Sequence, residues 1–398
     1  MIHYAAITIC LLSILIGQLQ AAAPDTDAIL ASGKFAEGIT TLEEHLKQNP
    51  KDDSARFGLA TLQFVEAVQS LGRKLVIYGP QTRGIADLEA IFGKQSKPAK
   101  LLTYPRLREI LNEWLQDLTR IEAILAKIES NDVKLPIHVA RVPLNFARDG
   151  VQALTLVPLL NSLGREAPAD VVIAFDRADV DWMRGYCHLL SAFGEVALAY
   201  DAQELFDVFS HRIFAYAETP HKFLKDQPRR QGGWFDFDEI ADIVGAIHTI
   251  RFPVKEPKRM AAALSHIEQT LALSRSMWKL ILAEKDNDRE WIPGPGQTSV
   301  LGVGVTQEMV DHWIIALDET ESILKGKKLL PFWRGKLTNG VNLRKVFLEP
   351  RTLDMVLWVH GAAATPYLEE GEITRPDTWE QINRVFRGQF LAFGIWFN

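Results

Sequence analysis

From Pro105 the chain places apolar side chains at Leu107, Ile110, Leu111, Trp114, Leu115, Leu118, Ile121, Ile124, Leu125 and Ile128, with charged residues on the opposite face. Steps of three and four sustained over that span predict a long amphipathic helix. Pro105 suits its first turn, where the missing N–H would have no intrahelical partner anyway. The same periodicity predicts helices over 181–200, 202–218, 237–251, 258–284 and 306–325, with Asp181, Asp236 and Thr306 as N-caps. Extended structure is confined to three places. They are Leu135 to Phe146, where Pro136 and Pro143 point to an edge or irregular strand, Val171 to Phe175, and Leu337 to Leu343, where Asn339-Gly340 signals a hairpin turn. Strands and helices do not alternate, which excludes a doubly wound sheet. The expected architecture is mainly α, with minor short strands.

The N-terminus has a different pattern. Ala5 to Gly17 is an uncharged apolar run followed by the small residues Ala21-Ala22-Ala23, the order of a secretory signal peptide. The run is too short for a hydrocarbon core of about 30 Å, which needs roughly 20 apolar residues in a helix. Residues 1–23 are therefore read as a signal peptide, with an uncleaved anchor as the alternative, and no transmembrane span is expected after cleavage. Export places the protein in the periplasm or at the envelope. That segment holds no Asp, Glu, Lys or Arg, so the mature chain keeps the formal net charge of -6. Without a basic surplus to neutralise phosphates, nucleic acid is excluded as a partner. Loss of Cys10 leaves Cys187 alone among Tyr186, Leu189 and Leu190, where it reads as a small buried hydrophobe rather than half of a disulfide.

A length of 398 residues suggests two or three cores' worth of chain. Loop-rich stretches at Pro220 to Trp234 and Asp286 to Gly304 interrupt the helices. The expected division is a helical lobe over 24–100, a larger helical body over 101–325 and a less regular, aromatic-rich end over 326–398. Within the lobe, Gly33 and Phe35 at a helix entry, Leu42 and Leu46 on its packing face, Pro50 closing the unit, and Leu59 and Ala60 on the next helix resemble a tetratricopeptide repeat over about 28–66. Gly38 and His45 stand where that family prefers small residues such as Ala. The resemblance implies stacked helical hairpins, and a unit that must pack on following helices because about three are needed for stability. Three other stretches, Asp181 to His188, Glu290 to Pro293 and Leu343 to Thr352, resemble segments of uncharacterised exported bacterial proteins, some with a fuller Asp-rich loop near position 145. This second resemblance implies no particular activity.

Asp181, Arg184 and His188, spaced three and four apart, share one face of a helix opposite Trp182, Tyr186, Leu189, Leu190 and Phe193. They could serve as an acid, a guanidinium for an anionic substrate and a general base, with Asp176 and Asp179 nearby. The plainer expectation is the solvated polar face of an amphipathic helix, its acidic residues favoured near the N-terminus. Asn145, Asp149 and Gly150 fit positions one, five and six of an EF-hand loop, but Ala147 and Leu156 occupy ligand positions three and twelve. With no His-x-x-x-His pair or Cys cluster either, no metal site is expected. Asp236-Phe237-Asp238 reads as helix capping, and Gly294 to Gly304 lacks the Gly-Lys-Ser/Thr of a phosphate loop, so no cofactor is expected. Trp234, Trp291, Trp333 and Trp358 could form sugar-stacking platforms, although a helical core accounts for most of them. The apolar run Phe390 to Phe397 is expected to dock into the body.

Together these features favour a non-enzymatic binding or assembly protein whose partner is another envelope protein. The alternatives are a hydrolase or lyase with a site near Asp181, Arg184 and His188, and a small-ligand or glycan binder using Trp291 and Trp333. The partner's identity and the oligomeric state stay open at this stage.

Overall fold

The computed structural model describes residues 23–81, 100–146, 154–155, 170–226, 237–300, 302, 304–336, 338–390 and 393–394. Residues 1–22, which include Cys10 and all but the last residue of the expected signal segment, lie outside the described residues, as do the loop position Asp149, Trp234 and the expected cap Asp236. The protein is mainly helical. In chain order the helices are α1 (Thr26–Ser32), α2 (Phe35–Gln48), α3 (Asp53–Val76), α4 (Tyr104–Leu125), α5 (Arg177–Ala199), α6 (Gln203–Ile213), α7 (Phe223–Asp226), α8 (Phe237–Thr249), α9 (Pro257–Ile281), α10 (Gln307–Leu324), α11 (Leu343–Leu348), α12 (Met355–His360) and α13 (Pro376–Val385). None of the described helices is long and apolar enough to cross a membrane.

The strands form small antiparallel patches between helices. β1 (Leu135–His138) pairs with β4 (Val172–Phe175), with Pro136 opposite Ala174. β2 (Pro143–Leu144) pairs with β3 (Leu154–Thr155), and β5 (Arg251–Phe252) with β8 (Leu353–Asp354). β7 (Asn339–Val341) lies between β6 (Leu330–Pro331) and β9 (Leu368–Glu370). Asn339-Gly340 is therefore strand rather than the expected turn. Glycine is needed there for close approach, since a Cβ at Gly340 would lie 2.5 Å from Leu329 Cβ and 2.8 Å from the Leu330 carbonyl oxygen.

Helices α5 and α9 pack along each other, α4 covers α5, and α3 covers α4. One apolar core runs from Leu30, Phe35 and Leu42 through Leu118, Ile121, Ile173 and Met277 to Trp278, Trp313 and Phe393. The N-terminal helices and the body thus share a core. At Gly38 a Cβ would overlap the Ile29 side chain, so α1 and α2 approach there as only glycine permits. Thr103 and Thr306 cap α4 and α10 by accepting from the Arg106 and Met309 amides, each at 3.2 Å. The apolar run near position 390 docks as expected in its described part. Phe386, Phe390 and Phe393 surround Trp313, and Phe393 stacks on Trp278.

A buried arginine ties the frame together. Arg108 of α4 donates to the Tyr200 carbonyl (2.8 Å) and the Leu198 carbonyl (2.7 Å) at the end of α5, and to Glu256 Oε1 (2.6 Å) at the start of α9. Its fork thereby satisfies the carbonyls that a helix C-terminus leaves without partners.

Candidate functional site

Asp181 does not cap α5. The cap is Asp176, whose carboxylate accepts from the Ala178 amide (2.8 Å), while the Asp179 carboxylate accepts from the Asp176 amide (3.0 Å). This reciprocal capping box starts the helix at Arg177, more than a turn before the expected position. Asp181 consequently sits inside the helix and is 1% exposed. The face it shares with Arg184 and His188 packs against α4 and α9, where those two side chains are half-buried. Gly185, Ser191 and Ala192 are buried on α5 and let it press closely against its neighbours, whereas Phe193, expected on the packed side, is 65% exposed.

The three residues selected from the sequence meet partners from two other helices. Asp181 Oδ1 accepts from Arg177 Nη1 at 2.8 Å and lies 3.6 Å from Arg184 Nη1, while Oδ2 accepts from Ser276 Oγ at 2.6 Å. Arg184 Nε and Nη2 both reach Glu122 Oε1 at 3.0 Å, and His188 Nε2 lies 3.7 Å from the same oxygen. His188 Nδ1 is 2.8 Å from His266 Nδ1, so one ring donates and the other accepts. His188 and then Arg184 hold the Glu122 carboxyl below the usual range against its burial. Burial, reinforced by His188, pushes the His266 imidazole below its ordinary value. Two carboxylates facing two guanidiniums and a shared-proton histidine pair form a self-compensated network. Both Asp181 oxygens and the Arg184 fork are already engaged within the network. Cys187 is 1% exposed, and burial pushes its thiol up to about 12, so it stays protonated and is not a nucleophile.

A second cluster lies at the N-terminal end of the same helix. One carboxylate oxygen each from Asp176, Glu284 and Glu290 lie within 4.8 Å of one another. Glu284 follows α9, and its Oε2 accepts from Gln297 Nε2 at 3.0 Å. Glu290 is buried after Arg289, whose φ of 61° turns the chain back, and its Oε1 accepts from the Asp288 amide at 2.8 Å. At the rim Lys134 pairs with Asp286 (2.8 Å) and Asp288 (3.6 Å). Burial raises the Asp176 and Glu290 carboxyls, and it drives Asp179 well above the usual range with help from Asp176. Glu284 is pushed up to about 7, chiefly by burial and further by Asp176 and Glu290. Oxygen donors alone suit a hard cation or shared protons. The sequence reading included Asp176 and Asp179 but missed Glu284 and Glu290, which are more than a hundred positions away. A signal did exist. Two of the stretches noted for resemblance meet here, with Trp182 and Trp291 rings 5.5 Å apart.

The backbone N–H of Asn145 donates to Gln69 Oε1 of α3 at 2.8 Å, while its partner position Asp149 is outside the described residues. Trp291 is buried, with its ring against those of Phe175 (6.1 Å) and Trp182 (5.5 Å). Trp333, 57% exposed, lies beside Phe332 in the C-terminal region. These two tryptophans belong to different parts of the molecule.

Helix α8 departs from a buried-apolar pattern. Its Asp242 faces His211 (3.3 Å) and Arg212 (3.6 Å) of α6, Glu239 reaches Arg212 (3.4 Å), and Ala246 is buried. Ile240, Ile243, Val244 and Ile247 are instead 41–49% exposed. Neighbouring α12 is similar, with Met355, Val356 and Leu357 41–48% exposed and Val359 73% exposed. The two helices are joined through β5–β8 and by the Met355 amide donating to the Ile250 carbonyl at 3.0 Å. Comparison with protein-family models, with curated proteins and with solved structures gives no match.

Proposed function

We propose that this chain is an exported binding or assembly protein that docks a protein partner on the face formed by α8 and α12. The observation that carries the reading is the inverted amphipathic helix α8, with its carboxylates and small residues against α6 and its aliphatic stripe outward. Globular helices turn the apolar stripe inward, and a contiguous exposed patch rimmed by polar residues is the usual mark of an interaction surface. The leader over 1–23 supports export, with another envelope protein as the expected partner. The stretch 28–66, in this reading a tetratricopeptide-like hairpin, braces the body. An enzymatic reading draws less support, because Asp181 is paired with Arg177 and Arg184, and Arg184 and His188 both meet Glu122.

The test is a pull-down from envelope extract, with captured proteins identified by mass spectrometry. Capture is expected to survive Arg184→Ala/His188→Ala and to be lost in Ile243→Glu/Ile247→Glu. Capture lost only in the first variant would overturn the reading.

A further inference from the structure

We propose that the connection between β6 and β7 seats this chain reversibly on an anionic membrane surface, with Trp333 in the headgroup layer and Arg334 and Lys336 on its phosphates. The inference goes beyond the docking reading and uses the other end of α12 from the one joined to α8.

Connections between paired strands ordinarily carry small polar residues. This one reads Phe332-Trp333-Arg334-Gly335-Lys336. Phe332 is its root, packed on the small core of Val341, Ala364 and Tyr367. Trp333 lies beside that root, with the rings 4.9 Å apart, yet is 57% exposed. Gly335, at φ 84°, turns the chain between Arg334 and Lys336, both exposed and without an ion-pair partner among the described residues. Helix α12 ends against the same root, since a Cβ on Gly361 would lie 3.0 Å from the Phe332 ring and 3.7 Å from Arg334 Cδ. Val359, 73% exposed, stands on the last turn of that helix. Nearby carboxylates are committed elsewhere or set back. Glu369 is held by Lys345, Glu372 pairs with Lys328 at 3.5 Å, and Glu370 is opposite Asn339 in β7 rather than in the connection. The tip is therefore an aromatic ring flanked by two cations, with an aliphatic side chain beside it.

Lipid suits this group better than protein or carbohydrate. Trp and Arg are also favoured at protein contacts, but a stable interface buries ~800 Å² per partner, more than a few side chains at a tip supply. A leaflet needs no matching surface. Trp partitions to the membrane interface because its ring meets the acyl boundary while its N–H stays among polar groups. Each Lys or Arg near an anionic leaflet strengthens adsorption about fivefold. Val359 adds apolar area of the kind that membrane-surface elements bury at the acyl boundary. A soluble anionic polymer would engage the cations and the ring but leave Val359 in water. Helix α8 has an aliphatic stripe but no Lys or Arg over Phe237–Thr249, so it lacks the combination that an anionic surface selects.

The experiment is vesicle flotation with the full chain, expressed with its leader and recovered as it accumulates. Adsorption is expected on phosphatidylglycerol-containing vesicles, weaker on pure phosphatidylcholine, and reduced by raising salt. Arg334→Glu/Lys336→Glu should weaken it by about twenty-five-fold with an unchanged circular dichroism melt. Lys258→Glu/Lys279→Glu, the same charge change at exposed positions of α9, should leave it within about twofold. Trp333→Leu should remove the part of the emission quenched by bromine-labelled acyl chains. Equal adsorption on the two lipids, an equal loss in the α9 variant, or no loss in the tip variant would sink the proposal. So would a tip that binds dextran sulfate but not vesicles, or whose mutation abolishes protein capture and spares flotation. Ile243→Glu/Ile247→Glu is expected to lose capture and keep flotation. Loss of flotation in that variant would move the lipid contact to α8 and overturn this inference, whereas capture retained in it would overturn the docking reading alone.

Discussion

Around Asp181 two carboxylates face two guanidiniums, whereas around Asp179, at the beginning of the same helix, four carboxylates face a single ammonium held at the rim. The first group has exchanged water for fixed partners of opposite sign. The second has lost water without that exchange, and burial raises its carboxyls instead. Burial alone therefore does not determine what a charged residue contributes. The sign of its neighbours does, and these two adjacent groups on α5 should respond in opposite ways to mutation and to pH.

The largest effect should come from breaking the compensated group. Asp181→Ala leaves Arg177, Arg184 and Ser276 facing an empty position in the interior, and is expected to destabilise the fold by about 3–5 kcal/mol, measured as a lowered urea midpoint at pH 7. A smaller effect of opposite sign should follow at the other cluster. Because Glu284 is raised to about 7, the folded chain holds a proton that the unfolded chain releases above about 4.5. Its contribution is full below that lower value and is lost as pH rises through about 7. Glu284→Gln should therefore stabilise the protein by about 1–3 kcal/mol at pH 8 and flatten the alkaline side of a plot of melting temperature against pH. The comparison fails if Glu284→Gln destabilises equally at pH 5 and pH 8.

The smallest effect should appear at the histidine pair. His266 is depressed below 6.5 by burial and by His188, so the unfolded chain takes up its proton first on acidification. That contribution is full above 6.5 and declines as pH falls. His266→Gln should lessen the loss of stability between pH 6.5 and 5, where the carboxylate cluster is gaining it. Melts of the two single variants and their combination would separate these slopes.

Much of the frame could be read from periodicity. Helices α4, α9 and α10 lie close to the expected spans, because long apolar stripes with a Thr cap or a first-turn Pro leave little freedom. The start of α5 was less legible, since Asp176, Asp179 and Asp181 are all acceptable near a helix N-terminus, and only the reciprocal bonds distinguish the cap. Spacing correctly placed Asp181, Arg184 and His188 on one face but did not reveal that this face packs against α4 and α9. The small residues Gly185, Ser191 and Ala192 on that side were the available clue. Glu122, His266 and Ser276 come from other helices, and nothing local to α5 announces them. In α8 the stripe was plain but its direction was not. The outward turn depends on His211 and Arg212 of α6 offering Asp242 a better environment than an apolar surface would.

The Arg108 guanidinium connects the last carbonyls of α5 to the carboxylate that opens α9 while its own backbone belongs to α4. None of those three helices can fray at that corner without stranding a buried cation, so their ends share a single lifetime. Opening any one of these helix ends therefore carries the cost of an unpaired cation, which couples their local unfolding at that corner.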